Sequence, residues 1–148
     1  MFCSCGRRAT LLKDFRKSMN GCGKIVATDM SPVAPALFMA DETYLVPRID
    51  DPSYYEHVLD ICEKSKVKAI TTLIDPEIEI LAKNREDLLS KGILPLCPAD
   101  WTARLCYDKY EMFKYLHDKG VRTILTYNSL DGFKNGLEKG EISFPVFM

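Results

Sequence analysis

The chain has 148 residues, of which 47% are hydrophobic and 28% are charged, and its formal net charge is −1. This composition is typical of a globular domain. The net charge near zero does not predict nucleic acid as a partner. No apolar run approaches the roughly 20 residues of a membrane helix, so no membrane is predicted as a partner either. Six scattered cysteines, of which only Cys3 and Cys5 are close in sequence, favour reduced thiols in a cytoplasmic protein over the alternatives of a disulfide framework or a metal site.

Short apolar runs alternate with amphipathic segments over the first hundred residues. The runs predict strands at residues 2–5, 24–28, 43–46, 68–74 and 93–97. Leu12, Phe15 and Met19 recur at helical spacing and predict the inner face of the first helix. The run at 68–74 predicts a strand buried on both faces, whereas Pro95 predicts an edge position or irregular pairing. This alternation predicts an α/β fold with a Rossmann-like, doubly wound and mostly parallel sheet.

Two of the predicted helices begin with an aspartate followed by a proline. Asp51 and Asp75 are predicted to cap these helices, because a carboxylate accepts the free N–H groups of the first turn. The prolines that follow suit the first helical position, where no N–H is needed. The second of these helices is predicted to run through Ser90 and to end at Gly92.

The pattern changes after about residue 99. Helices are predicted at 100–107, 108–119 and 130–139, and strands at 121–127 and 144–148. In the second of these helices, Tyr110, Phe113 and Leu116 are predicted to face inward. A tail of this size is too small for an independent domain. We therefore expect a Rossmann-like domain at 1–106 and an incomplete α+β segment at 107–148.

Candidate site residues follow the predicted strands, because ligands of an open parallel sheet bind beyond the carboxyl ends of its strands. Gly6, Arg7 and Arg8 form either an anion site at a helix start or a turn with solvated arginines. Asp29 either contacts a ligand hydroxyl or closes a loop, and the missing glycines around Gly6 disfavour NAD. Glu77, in the first turn of a helix, either favours the helix dipole alone or faces a ligand.

Lys109 lies at the predicted start of the charged helix in the tail. The helix dipole disfavours a lysine there unless an anion lies nearby, although most such lysines are simply solvated. The sequence contains no nucleophile elbow, no P-loop and no histidine pair. It therefore predicts no catalytic residue and no metal ligand.

Several segments in order resemble a known family. They are Cys5-Gly-Arg-Arg-Ala-Thr-Leu-Leu12, Ala27-Thr-Asp-Met-Ser-Pro-Val-Ala-Pro-Ala-Leu37, Ala40-Asp41, Val46-Pro-Arg-Ile-Asp-Asp-Pro52, Leu73-Ile-Asp-Pro-Glu77 and Asp108-Lys109-Tyr110. Together they resemble ATP-grasp proteins akin to the carbamoyl-phosphate synthase large subunit, over essentially the whole chain. The resemblance implies a pre-ATP-grasp domain at 1–106 and the start of an ATP-grasp domain at 107–148.

The resemblance also implies a chemistry. Proteins of this family use ATP and magnesium to activate a carboxylate as an acyl phosphate, and an amine or another nucleophile then displaces the phosphate. By resemblance, Lys109 contacts the nucleotide phosphates. Gly6, Arg7, Asp29 and Glu77 match positions on the substrate side of the cleft. Small-molecule carboxylate and amine substrates are the implied partners.

In similar proteins, the segment that matches Phe144-Pro-Val-Phe147 leads into a strand with a second phosphate-binding lysine. The glycine-rich flap and the magnesium ligands are expected beyond Met148, and one lysine cannot offset the charge of a transferring phosphoryl group. We therefore expect the N-terminal, substrate-side part of a ligase, inactive and without a cofactor when alone. It is a truncated form, a proteolytic product or a split-gene product that a complementary ATP-grasp chain completes. The alternative is a stand-alone Rossmann-like module that binds a small anionic ligand without catalysis.

Overall fold

A computed structural model describes residues 1–147 of the chain. The chain forms two compact units, one over Met1–Ala103 and the other from Arg104 onward. None of the helices in the described part is both long and apolar enough to cross a lipid bilayer. All six cysteines are free thiols, and Cys3, Cys5 and Cys62 are buried.

The first unit alternates strands and helices along the chain. Its strands are β1 (Phe2–Cys3), β2 (Val26–Asp29), β3 (Glu42–Leu45), β4 (Ala69–Thr72) and β5 (Leu94–Pro95). Its helices are α1 (Ala9–Met19), a 3-10 helix (Pro35–Met39), α2 (Tyr54–Lys64), α3 (Asp75–Lys83) and α4 (Arg85–Ser90). Helix α5 (Asp100–Tyr107) follows and contains the division between the units.

The five strands form one sheet in the order β3-β2-β1-β4-β5, and each neighbouring pair is parallel. Along the chain, β2 and β3 follow on one side of β1, and β4 and β5 then follow on its other side. This is the doubly wound order of a Rossmann-like sheet, with the reversal between β1 and β4. The predicted α/β fold class is confirmed.

Hydrophobic clusters cover both faces of the sheet. Phe2 and Ala27 belong to one cluster with Leu12 of α1, while their neighbours Cys3 and Val26 belong to the other. Successive strand residues point to opposite faces, so the two clusters lie on opposite sides of the sheet. The second cluster is completed from α2, α3 and α4 by Tyr54, Val58, Ile61, Cys62, Leu81 and Leu88.

Both predicted aspartate caps are wrong. The Asp51 carboxylate accepts the backbone N–H of Ser53 at 2.8 Å and its hydroxyl at 2.7 Å, which closes a turn before α2 begins at Tyr54. Asp75 is already the first residue of α3, because the chain stays extended through Ile74. Its carboxylate therefore lies in the first turn, where it favours the helix dipole without capping.

The helix predicted from Asp75 through Ser90 is divided at Asn84 into α3 and α4. The Asn84 side-chain amide donates to the Ile80 carbonyl oxygen at 2.8 Å. An asparagine side chain competes in this way with the backbone hydrogen bonds of a helix, and here the competition coincides with the break.

The edge position predicted from Pro95 is confirmed, since β5 is the outermost strand beyond β4. The inward faces predicted for two other elements are only partly buried. In β4, Ala69 and Thr71 keep intermediate exposure while Ile70 is buried. Phe15 of α1 remains 42% exposed, although its ring meets that of Phe2 edge-on at 4.8 Å between centroids.

The second unit contains α6 (Lys109–Asp118) and α7 (Leu130–Glu138). Asp108 caps α6 by accepting the N–H groups of the second and third helical residues at 3.0 Å. Tyr110, Phe113 and Leu116, predicted to face inward, are only half-buried. The strands predicted at 121–127 and 144–148 are wrong over the described residues, and Met148 lies outside them. The described part of this unit has no strand with which these segments could pair.

Candidate functional site

A cavity of about 660 Å³ lies at the carboxyl ends of β1 to β4, where the strand order reverses. The loops that follow these strands line it, through residues that include Ser4, Gly6, Asp29, Ser31, Arg48 and Ile74. Its volume is that of a small-molecule site. All of these lining residues belong to the first unit.

The loop after β1 depends on Gly6. Its φ of +51° lies in the left-handed region that side-chain-bearing residues rarely adopt. A Cβ built there would meet nothing closer than the Ser4 carbonyl oxygen at 3.9 Å, so the backbone conformation rather than space favours glycine. The Gly6 carbonyl oxygen accepts the Ala36 N–H at 3.1 Å, which ties this loop to the 3-10 helix.

Asp29, the last residue of β2, holds two loops together. One carboxylate oxygen accepts the Gly6 N–H at 2.7 Å, and the other accepts the Ser31 N–H at 2.9 Å. The side chain is only 7% exposed. Of the two roles considered for Asp29, these bonds correspond to the loop-closing one. The residue nevertheless lies in the cavity wall, and the bonds set the positions of the backbone around it.

Glu77 is completely buried in the first turn of α3 and does not line the cavity. The hydroxyl of Tyr54 donates to one of its carboxylate oxygens and that of Thr72 to the other. Burial raises the pKa of Glu77 to about 7, against the smaller opposing effects of the side chains of Ser4 and Cys3. Glu77 therefore joins α2, β4 and α3 beneath the site.

The Glu77 cluster reaches the cavity wall through Thr72. The Thr72 hydroxyl oxygen accepts the backbone N–H of Ile74 at 3.3 Å, and Ile74 lines the cavity. The structure thus assigns to Glu77, which the resemblance places on the substrate side, a position one layer behind the wall.

Three arginines line the cavity, Arg7, Arg8 and Arg48. Arg48 was missed by the sequence reasoning, which considered the ends of the first, second and fourth strands only. It lies three residues beyond β3, and its guanidinium binds Asp50 through Nε at 3.1 Å and Nη2 at 3.4 Å. The rule that ligands bind beyond strand ends would have found it if applied to β3 as well.

Lys109 belongs to the second unit, and the other predicted site residues belong to the first. Its side chain is exposed, and its ammonium group donates to the Cys106 carbonyl oxygen of its own unit. Across residues 1–147, no three His, Cys, Asp or Glu side chains are grouped to hold a metal ion. The assignment of Lys109 to nucleotide phosphates stays a prediction.

The sequence model of one protein family, described as "PylC-like, N-terminal domain", matches residues 1–96. That range contains every strand of the sheet and every cavity residue named above. The match confirms the resemblance to ATP-grasp proteins found in the sequence segments. A search of curated proteins gives no significant match.

Solved structures share the fold. The biotin carboxylase domain of a single-chain bacterial carboxylase matches 95% of this chain with a TM-score of 0.62 and 16% identity. The complete multifunctional pyruvate carboxylase from Rhizobium etli matches 86% with a TM-score of 0.56 and 20% identity. The chain spans 34% of the first protein and 13% of the second. At these identities the similarity shows a common fold.

Replacing Glu77 by glutamine tests the buried carboxyl. Because the folded-state pKa is about 7, above the ordinary 4.5, the group stabilises the fold fully below pH 4.5 and loses this effect as the pH rises through 7. We expect the free energy of unfolding of the wild-type chain, relative to Glu77→Gln, to fall by about 3 kcal/mol across this range. Urea denaturation at several pH values measures it. The exposed Glu63→Gln is the control, and parallel pH profiles for wild type and Glu77→Gln would contradict the assignment.

Replacing Asp29 by alanine tests the bridge between the loops. The N–H groups of Gly6 and Ser31 lose a charged acceptor, so we expect a destabilisation of about 3 kcal/mol and faster hydrogen exchange at both amides. Asp29→Asn keeps one acceptor oxygen, so its free energy of unfolding is expected to lie between those of the wild type and Asp29→Ala. Asp60→Ala, on the exposed side of α2, is the control and is expected to stay within about 0.5 kcal/mol of wild type. Equal effects of the two alanine variants would refute the bridge.

Proposed function

The chain belongs to the family of PylC-like N-terminal domains, and from this premise we propose that it is the N-terminal, substrate-side part of an ATP-dependent carboxylate–amine ligase of the carbamoyl-phosphate synthase type. One observation carries the proposal: the family match covers the whole sheet and the cavity at its carboxyl edge. A cytoplasmic location is part of the proposal and is supported by the six free thiols.

In this function the cavity contributes to the substrate side of the cleft. Gly6, Arg7 and Asp29 stand in its wall, and Glu77 supports the wall from behind through Thr72. The complete enzyme would take a small-molecule carboxylate and an amine. An oxygen of the substrate carboxylate would attack the γ-phosphorus of ATP and release ADP. The amine nitrogen would then attack the acyl carbon, lose a proton and release phosphate.

We propose that Lys109 supplies one of the cations that this phosphoryl transfer needs. Its place at the first position of α6, after the Asp108 cap, agrees with the Asp-Lys pair of the resemblance. Phosphoryl transfer depends on magnesium and several converging cations, and a single lysine does not replace them. ATP and magnesium therefore belong to the complete enzyme, and a complementary ATP-grasp chain is the partner if the function is divided between chains.

The 148-residue chain is expected to bind ATP at roughly millimolar affinity or more weakly, because one charge-assisted contact supplies only about 2 kcal/mol. Calorimetric titration with ATP, with and without magnesium, measures this. Micromolar, magnesium-dependent binding would contradict the proposal that the nucleotide site needs more than this chain. The Lys109→Ala variant is the control, and any weak heat of binding in the wild type should decrease in it.

The second candidate function is a stand-alone module that binds a small anionic ligand without catalysis. The cavity favours it, because its wall is formed within the first unit and does not depend on a nucleotide. The two functions differ in what is encoded after codon 148. The ligase requires a Lys-Pro pair and a glycine-rich loop there or in a neighbouring gene, whereas the module requires neither.

Sequencing of the encoding locus is the first arm of that test. In the second, the polypeptide from the full reading frame is assayed for ADP release, and Lys109→Ala should lower kcat/KM for ATP about tenfold to a hundredfold. Lys139→Ala, an exposed position after α7, is the control and should leave the rate unchanged. If neither the reading frame nor a neighbouring gene encodes the glycine-rich loop, the ligase proposal is refuted and the stand-alone binding module takes its place.

A further inference from the structure

The cavity at the carboxyl ends of the strands has an excess of positive charge. Arg7, Arg8 and Arg48 line it, and Asp29 is the only carboxylate among its described lining residues. Both oxygens of that carboxylate already accept backbone N–H groups from the surrounding loops. The negative charge in the wall is therefore used to hold the loops together and is not directed at the arginines.

Arg48 is oriented and still has donors to spare. Asp50 holds it through two hydrogen bonds, from Nε to Oδ1 at 3.1 Å and from Nη2 to Oδ2 at 3.4 Å. A guanidinium group carries five N–H donors, so three remain for another acceptor. The Arg48 side chain is 70% exposed, so a ligand can reach these donors.

Arg7 and Arg8 have no ion pair and no side-chain hydrogen bond within residues 1–147. They follow β1, whereas Arg48 follows β3, and all three line the same cavity. Guanidinium groups bind carboxylate and phosphate through paired N–H donors, and this geometry makes arginine the usual residue for such anions.

Apart from Ser4, Gly6 and Ser31, the rest of the wall is apolar. Met30, Pro47, Ile49 and Ile74 contribute side chains to it. A cavity of about 660 Å³ accommodates a small molecule rather than a polymer. The combination suits a compound with an anionic group at one end and an apolar portion at the other.

We infer that the cavity binds a small organic anion, whose carboxylate or phosphate is held by Arg48 and Arg7 and whose apolar portion packs against Met30 and Ile74. Arg48 is then a specificity-determining residue of the site. The inference rests on the proposed function in one respect: in the ligase, this anion is a substrate or carries the reacting group. Binding itself requires only the first unit.

Isothermal titration of the 148-residue chain tests the inference with three probes of similar shape. Benzoate carries a carboxylate, phenyl phosphate carries a phosphate, and benzamide is the neutral analogue. We expect saturable binding of at least one anion and about tenfold weaker binding of benzamide, the loss of one charge-assisted pair. The tighter of the two anions identifies the group that the site prefers.

Two variants locate the binding. Arg48→Gln and Arg7→Gln are each expected to weaken the anion about tenfold, with no change in the far-UV circular dichroism spectrum. Lys68→Gln removes one positive charge at the opposite, amino-terminal edge of the sheet, just before β4, and should leave the affinity unchanged. In ¹H–¹⁵N spectra, the anion should shift the amides of Gly6 and Ile49 but not that of Lys68.

Equal binding of benzamide and the anions would overturn the inference, as would equal weakening by Lys68→Gln and Arg48→Gln, which would indicate attraction by net charge alone. Its failure is distinguishable from that of the proposed function. If the full-length protein turns over ATP but neither anion binds this cavity, only the proposed anion site is refuted. If an anion binds but no nucleotide-binding half is encoded, only the proposed ligase function is refuted.

Discussion

The carboxylate of Asp29 connects two of the loops that form the wall of the cavity. It bridges the N–H of Gly6, after β1, and that of Ser31, after β2. Two neighbouring parallel strands end at the same edge, but nothing in the ladder between them fixes the loops beyond. A buried acceptor with two satisfied oxygens provides that constraint. The left-handed backbone at Gly6 presents its N–H to Asp29, so the glycine and the aspartate together hold the loop after β1 in place.

Glu77 shows how a second carboxylate in the same region serves a different purpose. Hydroxyl groups of Tyr54 and Thr72 surround it instead of backbone N–H groups, and burial raises its pKa to about 7. A buried carboxyl of this kind is costly when ionised and useful when it connects elements that otherwise meet only through apolar contacts. It joins α2 to β4 and α3, and through Thr72 it reaches Ile74 in the cavity wall. The two acids therefore fix the loops and the layer beneath them.

The sequence was sufficient to predict the strands of the sheet but not the helix caps, the structure of the tail or all the residues of the site. Apolar runs and glycine or proline punctuation identify every strand of the first unit, because a buried parallel sheet leaves a strong pattern. The cap predicted at Asp51 failed because a side chain that closes a turn and one that caps a helix share the same sequence signal. The cap predicted at Asp75 failed because the helix begins one residue earlier than expected, at Asp75 itself. The strand predicted at 121–127 failed since β-propensity does not supply a pairing partner. Arg48 was missed because the loop after β3 was not considered as part of a site, although the rule that ligands bind beyond strand ends applies to it.

The separation of charge between the two units has a consequence for catalysis in the proposed ligase. The first unit carries the arginines of the cavity, and the second carries Lys109. Contacts made equally to the ground state and the transition state improve binding without raising the rate of the chemical step. Arginines that hold an anionic group of the substrate other than the reacting carboxylate act in this way, since the charge on that group does not change as the phosphoryl group moves. Acceleration must come from cations that meet the charge developing on that group. In a ligase built on this domain, selection of the substrate and stabilisation of the transition state would therefore reside in different parts of the protein.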